Sequence, residues 1–313
     1  MMTDFLIWLH RFFYEPNNKY EYKKNNRLLW LITNVMYRAV ELLLYYWVKT
    51  RYSIGIKIIP HKSIIEEDLV VSLTSFPDRI NIVWMTIDSI FRQTLHPKCI
   101  NLYLSKMQFP KLLEDLPDKL LKMQSMGLNI IFVEDDLRPH KKYYYAFQEY
   151  TDKCVVTIDD DVYYRSDLLE HLWALHLQFP NFVVANQGVV FNNISDSYSS
   201  WRISDNARMK PLHNAVAIGC GGILYPCSLF YNKEIYNDKL IKDLSLSTDD
   251  LWLKVHEIKN DIKVVIGEYF CMSPNIIGSQ KISLSNKNWQ NDNQNDINWT
   301  NLVNYYELTN ILN

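Results

Sequence analysis

From Asp68 onward the apolar positions follow two rhythms. The runs DLVVSLTSF (68–76), INLYLS (100–105), NIIFVED (129–135) and KCVVTIDDD (153–161) are nearly unbroken in apolar residues and read as buried strands. Between them, INIVWMTIDSIFRQ (80–93), DKLLKMQSMG (118–127) and KKYYYAFQEY (141–150) read as helices, the second stopped by Gly127. SDLLEHLWALH (166–176) continues as a helix with Ser166 in the N-cap position. Strand and helix alternating over short links predict an α/β fold, a doubly wound, Rossmann-like mixed sheet that is mostly parallel. In such sheets ligands bind beyond the carboxyl ends of the strands. Thr74, Ser75, Asp135, Asp136 and the aspartates 159–161 all fall at such ends.

The flanks follow other patterns. LLWLITNVMYRAVELLLYYWV (28–48) is long enough to cross a bilayer, but Asn34, Arg38 and Glu41 form a narrow polar stripe at i, i+4 and i+7. Lys19, Lys23, Lys24, Arg27, Lys49 and Arg51 flank it. A helix lying at an anionic membrane surface fits this pattern; packing on the main domain, or pairing with a second copy in a homodimer, fits it equally. From about Ser283 the chain is rich in Asn, Asp and Gln, and INWTNLVNYYELTNIL regains helical spacing. The expected organisation is an N-terminal helical extension (1–67), the α/β domain (68–282) and a polar tail with a terminal helix (283–313).

Composition narrows the function. The 313 residues, 48% of them hydrophobic, suffice for a full core, and a net charge of −2 leaves no basic footprint for nucleic acid. Five scattered cysteines show neither a CxxC spacing nor a zinc pattern and read as reduced thiols. MMTDFLIWLH carries an acid where a signal peptide needs bases. The expectation is a cytoplasmic protein, peripheral on the inner face of the cell membrane if residues 28–48 bind lipid.

Asp159, Asp160 and Asp161 repel one another at the end of a buried strand, so something positive must sit among them. Side chains alternate along a strand, which would aim Asp159 and Asp161 at one face and Asp160 at the other. Two hard oxygen ligands on one face suit Mn²⁺ or Mg²⁺. The plainer alternative is a solvated acidic turn before the next helix. Asp249 and Asp250, in STDD before an apolar run, similarly suit a helix cap.

An apolar strand ending in DxD within an α/β half resembles the GT-A fold glycosyltransferases, and the likeness extends over most of residues 68–275. More narrowly the chain looks like a bacterial branch of the family-two inverting enzymes. VSLTSFPDRI (71–80), LYLSKMQFP (102–110), DDLRPHKKYYYAF (135–147), TIDDDVYY (157–164), GCGGILYP (219–226) and TDDLWLK (248–254) carry the resemblance. It implies a GT-A-like sheet and transfer of a sugar from a nucleotide-sugar donor to an acceptor hydroxyl with inversion. By the same resemblance Asp161 is the direct ligand of Mn²⁺ or Mg²⁺ and Asp159 its partner, through ribose or metal-bound water. Asp250 is the implied base, with Asp249 as the fallback. Thr74, Ser75, Phe76 and Arg79 would touch the nucleotide, with Asp160 beside them. Asp136, Arg138, Lys141 and Lys142 would lie at the diphosphate, where His140 and one lysine also read as a solvated turn. Gly221, Gly222 and Trp252 are placed on the sugar and acceptor side. One departure stands out: the second strand ends in SKMQF, without the acid that reads uracil in many relatives, so UDP, GDP and dTDP stay open.

A lipid-linked oligosaccharide or other glycan acceptor, in O-antigen, capsule or lipopolysaccharide synthesis, suits the basic N-terminal region and the Lys-, Asn- and Ile-rich composition. The alternatives are a nucleotidyltransferase, for which TSFPDR lacks the glycine-rich basic loop, a non-catalytic nucleotide-sugar-binding or scaffold homologue, and a retaining transferase.

Overall fold

The computed structural model describes residues 2–18, 26–53, 64–268, 273–279 and 293–310. Helices α1 (Met2–Asn18) and α2 (Arg27–Ser53) precede β1 (Ile64–Thr74). The expected alternation follows as α3 (Val83–Phe91), β2 (Leu95–Ser105), α4 (Asp118–Met123), β3 (Leu128–Val133), α5 (Lys141–Glu149) and β4 (Cys154–Thr157). Next come α6 (Leu168–Gln178), β5 (Val183–Ala185), β6 (Gly188–Val190), β7 (Pro211–Leu212), β8 (Ala215–Ala217) and β9 (Ile223–Pro226). The described chain closes with α7 (Asp238–Leu244), α8 (Asp249–Lys259), β10 (Val264–Ile266) and α9 (Gln294–Tyr305).

Eight strands form one sheet in the order β3-β2-β1-β4-β9-β5-β10-β7. β1 pairs in parallel with β2 and β4, β2 with β3, and β5 with β10; β9 runs antiparallel between β4 and β5. This is the mixed, mostly parallel, doubly wound sheet expected from the sequence, with β6 and β8 as a separate pair.

Both faces of the sheet are covered, which is why the central stretches of its strands are mostly apolar. Leu69, Val71, Leu73, Val156, Val184, Leu224 and Val265 face one core, packed under α3, α6 and the N-terminal helices. Their neighbours Val70, Val155, Val183, Ile223, Tyr225 and Val264 face the other, under α5, α8 and α9. Gly127 ends the helical segment at φ +105°, a conformation that costs glycine nothing.

Several local expectations need revision. β4 stops at Thr157, so strand alternation does not extend to the aspartates. Asp167, not Ser166, occupies the N-cap of α6, and Ser166 is held through its backbone by Thr94 and Asp4. The expected boundary at 67/68 falls inside β1, and Leu6, Ile7, Val40, Leu44 and Val48 join the same core as Leu69. The terminal helix docks through buried Trp299 and Leu302, with Trp299 Nε1–H donating to the Ile194 carbonyl at 2.8 Å. The polar tract 280–292, and Lys19, Lys23 and Lys24, lie outside the described residues.

Candidate active site at the carboxyl ends of the sheet

β1 ends at Thr74, whose hydroxyl donates to the Tyr103 carbonyl at 2.8 Å and ties this end to β2. The chain then turns, with the Arg79 N–H donating to the Phe76 carbonyl at 2.9 Å, and the guanidinium swings back over the Phe76 ring toward the end of β4. There the positive partner demanded by the aspartate triplet appears. Arg79 Nη1 lies 2.6 Å from Asp160 Oδ1, its Nη2 lies 2.9 Å from Asp161 Oδ2, and Ser75 Oγ donates to Asp160 Oδ2 at 2.6 Å. Asp159 turns instead to Lys142 Nζ at 2.9 Å, and the same ammonium reaches Asp249 Oδ2 at 3.0 Å.

The expected grouping is therefore corrected: Asp160 and Asp161 share one cation, and Asp159 has another. The paired strand ends at Thr157, before the triplet, and each side chain follows its own partner. Burial raises the Asp160 carboxyl above the ordinary carboxylate range despite Arg79. It raises Asp161 to about 7, with Arg79 opposing and Asp160 adding to the rise.

Lys142 is the hinge of the second group. Burial disfavours its charge, yet Asp159, Asp249 and Asp250 together outweigh burial and hold its proton well above the ordinary lysine range. Asp250 sits in the first turn of α8, where Oδ2 accepts the Gly219 N–H at 3.2 Å. Its Oδ1 is buried without a hydrogen-bond partner among the described residues. Burial, then the neighbouring Asp249, pushes the Asp250 carboxyl well above its usual range, against the pull of Lys142. Such a shift favours the protonated acid, and the carboxylate, once ionised, is a strong proton acceptor.

A third group lies beyond β3. Asp136 accepts from Gln108 Nε2 at 2.8 Å, pairs with Lys141 and accepts the Arg138 N–H at 3.1 Å. Arg138 takes φ +50°, the left-handed region that non-glycine residues enter at a cost.

These groups open onto one cavity of about 610 Å³, lined by every residue expected on the donor, metal and base sides. The acceptor-side expectations are not met. Trp252 is fully buried and its indole N–H donates to the Ile235 carbonyl at 3.0 Å. Gly221 backs onto Gln187, whose Cβ would lie 2.7 Å from an added methyl group. Gly222, at φ +78°, faces Leu168 and Leu172 in the core. His140 is no solvated turn residue either. It is buried between the Ser245 carbonyl at 2.8 Å and the Tyr143 hydroxyl at 3.1 Å, and burial lowers its pKa to about 4. Trp201 and Tyr225 are core as well.

Reading the sequence also misses cavity residues. The glycine that matters is Gly219: a methyl group there would lie 3.1 Å from Lys142 Nζ and 3.2 Å from Asp159 Oδ1. Gln108 and Tyr198 line the cavity as well. Gln108 lies within the departing SKMQF segment, a signal available in the sequence; Tyr198, far along the chain, offers none.

For a divalent cation the donor set is sparse but suitable. Among the described residues no group of three or more His, Cys, Asp or Glu side chains surrounds a common point. Asp159, with a third of its side chain open (33%), and Asp161 nonetheless present hard oxygens to the same cavity. Mg²⁺ and Mn²⁺ commonly accept one or two protein carboxylates and complete their shells with water and phosphate.

No family model and no curated protein matches the chain. Similar solved structures include S. aureus TarS 1–349 in complex with UDP, at 13% identity and a TM-score of 0.41 over 63% of this chain. The match takes in 57% of that fragment's length. TarS 1–349 is also found at 15% identity and TM-score 0.42, covering 65% of this chain and 58% of the other. The 4-diphosphocytidyl-2C-methyl-D-erythritol synthase from Anaerococcus prevotii matches at 14% identity and TM-score 0.40, over 73% of this chain and 96% of its own. Likeness at this level assigns neither family nor chemistry.

Proposed function

We propose that the protein is an inverting glycosyltransferase that uses a nucleoside diphosphate sugar as donor and a glycan hydroxyl as acceptor. The observation that carries this reading is one cavity that holds two carboxylate groups of opposite character. The aspartate triplet is clamped by Arg79 and Lys142; Asp250, whose Oδ1 is buried without a hydrogen-bond partner among the described residues, lines the same cavity close to Asp159. Displacement at an anomeric carbon needs both: a charged cradle for the leaving diphosphate and a proton acceptor for the attacking hydroxyl.

The roles follow from position. Ser75, Phe76 and Arg79 bind and orient the nucleoside end, and Arg138 and Lys141, beside Asp136, bring cationic groups to the diphosphate. Mn²⁺ or Mg²⁺, held by Asp159 and Asp161, would supply Lewis-acid neutralisation of the departing phosphate. Asp250 takes the acceptor proton at Oδ1, while the Gly219 N–H fixes Oδ2 and so the direction of the free oxygen. Lys142 links the two groups by holding Asp159 and Asp249 at once. A lipid-linked acceptor at the cytoplasmic membrane face, within bacterial surface-polysaccharide synthesis, is the setting we assign from the basic, aromatic N-terminal region and the composition.

Calorimetric titration with UDP, GDP, dTDP and CMP, each with Mn²⁺ and with EDTA, tests the donor side. One nucleotide is expected to bind, with metal. Asp250→Asn is then expected to bind that nucleotide unchanged and to lower transfer about 10²- to 10⁴-fold. Failure of every nucleotide to bind, or near wild-type transfer by Asp250→Asn, overturns the reading.

A further inference from the structure

α2 (Arg27–Ser53) is two-sided, and the domain uses only one side. Thr33, Tyr37, Val40, Leu44, Val48 and Arg51 are buried, a stripe at helical spacing that packs toward α1 and the sheet. The opposite side presents Leu28, Leu31, Ile32, Val35, Leu43 and Tyr46 to solvent, with Leu28 at 73% and Val35 at 66% exposure. An uninterrupted apolar helix face this exposed calls for an occupant.

Charge says which one. Arg27, Arg38 and Lys49 recur every eleven residues, three turns of helix, and so form a straight row along one border of the apolar face. The Arg38 side chain is 66% exposed. The acid of the same stripe, Glu41, is turned inward to His10 and Arg38 with 12% of its side chain open, so the border toward solvent is cationic. Arg51, by contrast, is buried against Asp88 and takes no part. On α1, Phe5, Trp8 and Phe12 stack in an exposed aromatic ladder with ring centroids 6.0 and 5.7 Å apart. An apolar helix face edged by a line of cations, with exposed Trp and Phe on the helix packed against it, matches the chemistry of a bilayer interface with anionic headgroups.

We propose that this face of α2 is a monotopic membrane-docking surface, lying in the plane of an anionic lipid leaflet. The hairpin is fixed to the domain, not tethered loosely. Arg51 is ion-paired to Asp88, Tyr52 packs on Trp84 with ring centroids 4.7 Å apart, and Asp4 accepts the Ser166 N–H at 3.0 Å, five residues past the aspartate triplet. Lipid binding therefore sets the orientation of the cavity to the membrane. The proposal stands independently of the transferase reading.

Co-sedimentation of the full chain with vesicles of phosphatidylcholine alone, and of phosphatidylcholine mixed with phosphatidylglycerol, tests it. Binding is expected to the anionic vesicles and to weaken with salt. Replacing Arg27, Arg38 and Lys49 together by Gln is expected to weaken that partitioning on the order of a hundredfold. Leu31→Asp with Val35→Asp, both on exposed positions, is expected to abolish it while leaving the thermal transition in place. Absence of binding, or equal binding to neutral and anionic vesicles, overturns the proposal. So does a wild-type dimer in light scattering that the double Asp variant converts to monomer.

Discussion

Replacing Lys142 by Met removes the ammonium that, among the described residues, faces Asp159, Asp249 and Asp250, while keeping most of the side-chain volume. Nζ lies 2.9 Å from Asp159 and 3.0 Å from Asp249, and Lys142 is almost wholly buried. At an effective dielectric of about 20, each contact is worth roughly 5 kcal/mol before desolvation. Most of that is cancelled by the cost of burying the charges, and removing one partner of such a group costs about 3–5 kcal/mol net. The pH dependence is more telling than the size. A lysine held above its unfolded value of 10.5 contributes fully below about pH 10.5 and loses that contribution only above it. In the variant Asp250, already raised and now without the pull of Lys142, keeps its proton in the folded state at pH values where the unfolded chain, with aspartates near 3.8, releases it. Stability lost relative to wild type should thus be small near pH 4.5 and largest near pH 8. Urea unfolding followed by tryptophan fluorescence, in EDTA at pH 4.5, 6 and 8, reads this directly. Lys142→Met with Asp249→Asn should recover a sizeable part of the loss. A cost below about 1 kcal/mol that is the same at every pH would overturn the ionic account of the site.

Gly219→Ala should lower transfer about 10- to 100-fold with little change in melting temperature, because its methyl group displaces Lys142 and Asp159 by tenths of an ångström; full activity would remove Gly219 from the site. His140 is held neutral, its pKa lowered by burial from 6.5 to about 4, so stability should fall by about 3 kcal/mol as pH drops from 6.5 to 4. His140→Gln should flatten that acid limb in urea titrations, and an unchanged slope would place the acid sensitivity elsewhere. Trp252→Phe should cost about 1–2 kcal/mol through lost packing and the lost bond to Ile235, and leave the acceptor KM unchanged. A raised KM at wild-type stability would return Trp252 to the acceptor side.

The strands and helices of the sheet were legible because Val, Ile and Leu runs of strand length between helical patterns admit few other folds. The cluster of acids at strand ends was legible for the same reason: it follows from where the runs stop. The partners of those acids were not, since Arg79 and Asp160 are 81 residues apart and meet only after β1 and β4 pair. Asp250 and Trp252 looked like neighbours in TDDLWLK, but two residues on a helix are turned about 200° apart, so one faces the cavity and the other the core. The GCGG run announced a close approach without saying which glycine makes it; a tight turn over Gly219–Gly221 decides that only the first reaches Lys142. Likewise Arg51 looked like one more flanking base of α2, until Asp88 of α3 took it inward.

The antiparallel position of β9 bears on the order in which the molecule forms. β1 to β4 can assemble from neighbouring segments, but β4 keeps an open edge until residues 223–226 return to fill the gap beside it, with Thr157 opposite Ile223 and Cys154 opposite Pro226. The same insertion brings β5 alongside and carries Gly219 to Asp250 and Lys142. Contacts so distant in sequence are slow to close. A nascent chain that has emerged only as far as β4 thus already carries the aspartate triplet, but without the half of the cavity that β9 and α8 deliver. The nucleotide affinity proposed for this cavity should be the last property to appear during refolding, a sensitive clock for the moment when the two halves of the sheet join.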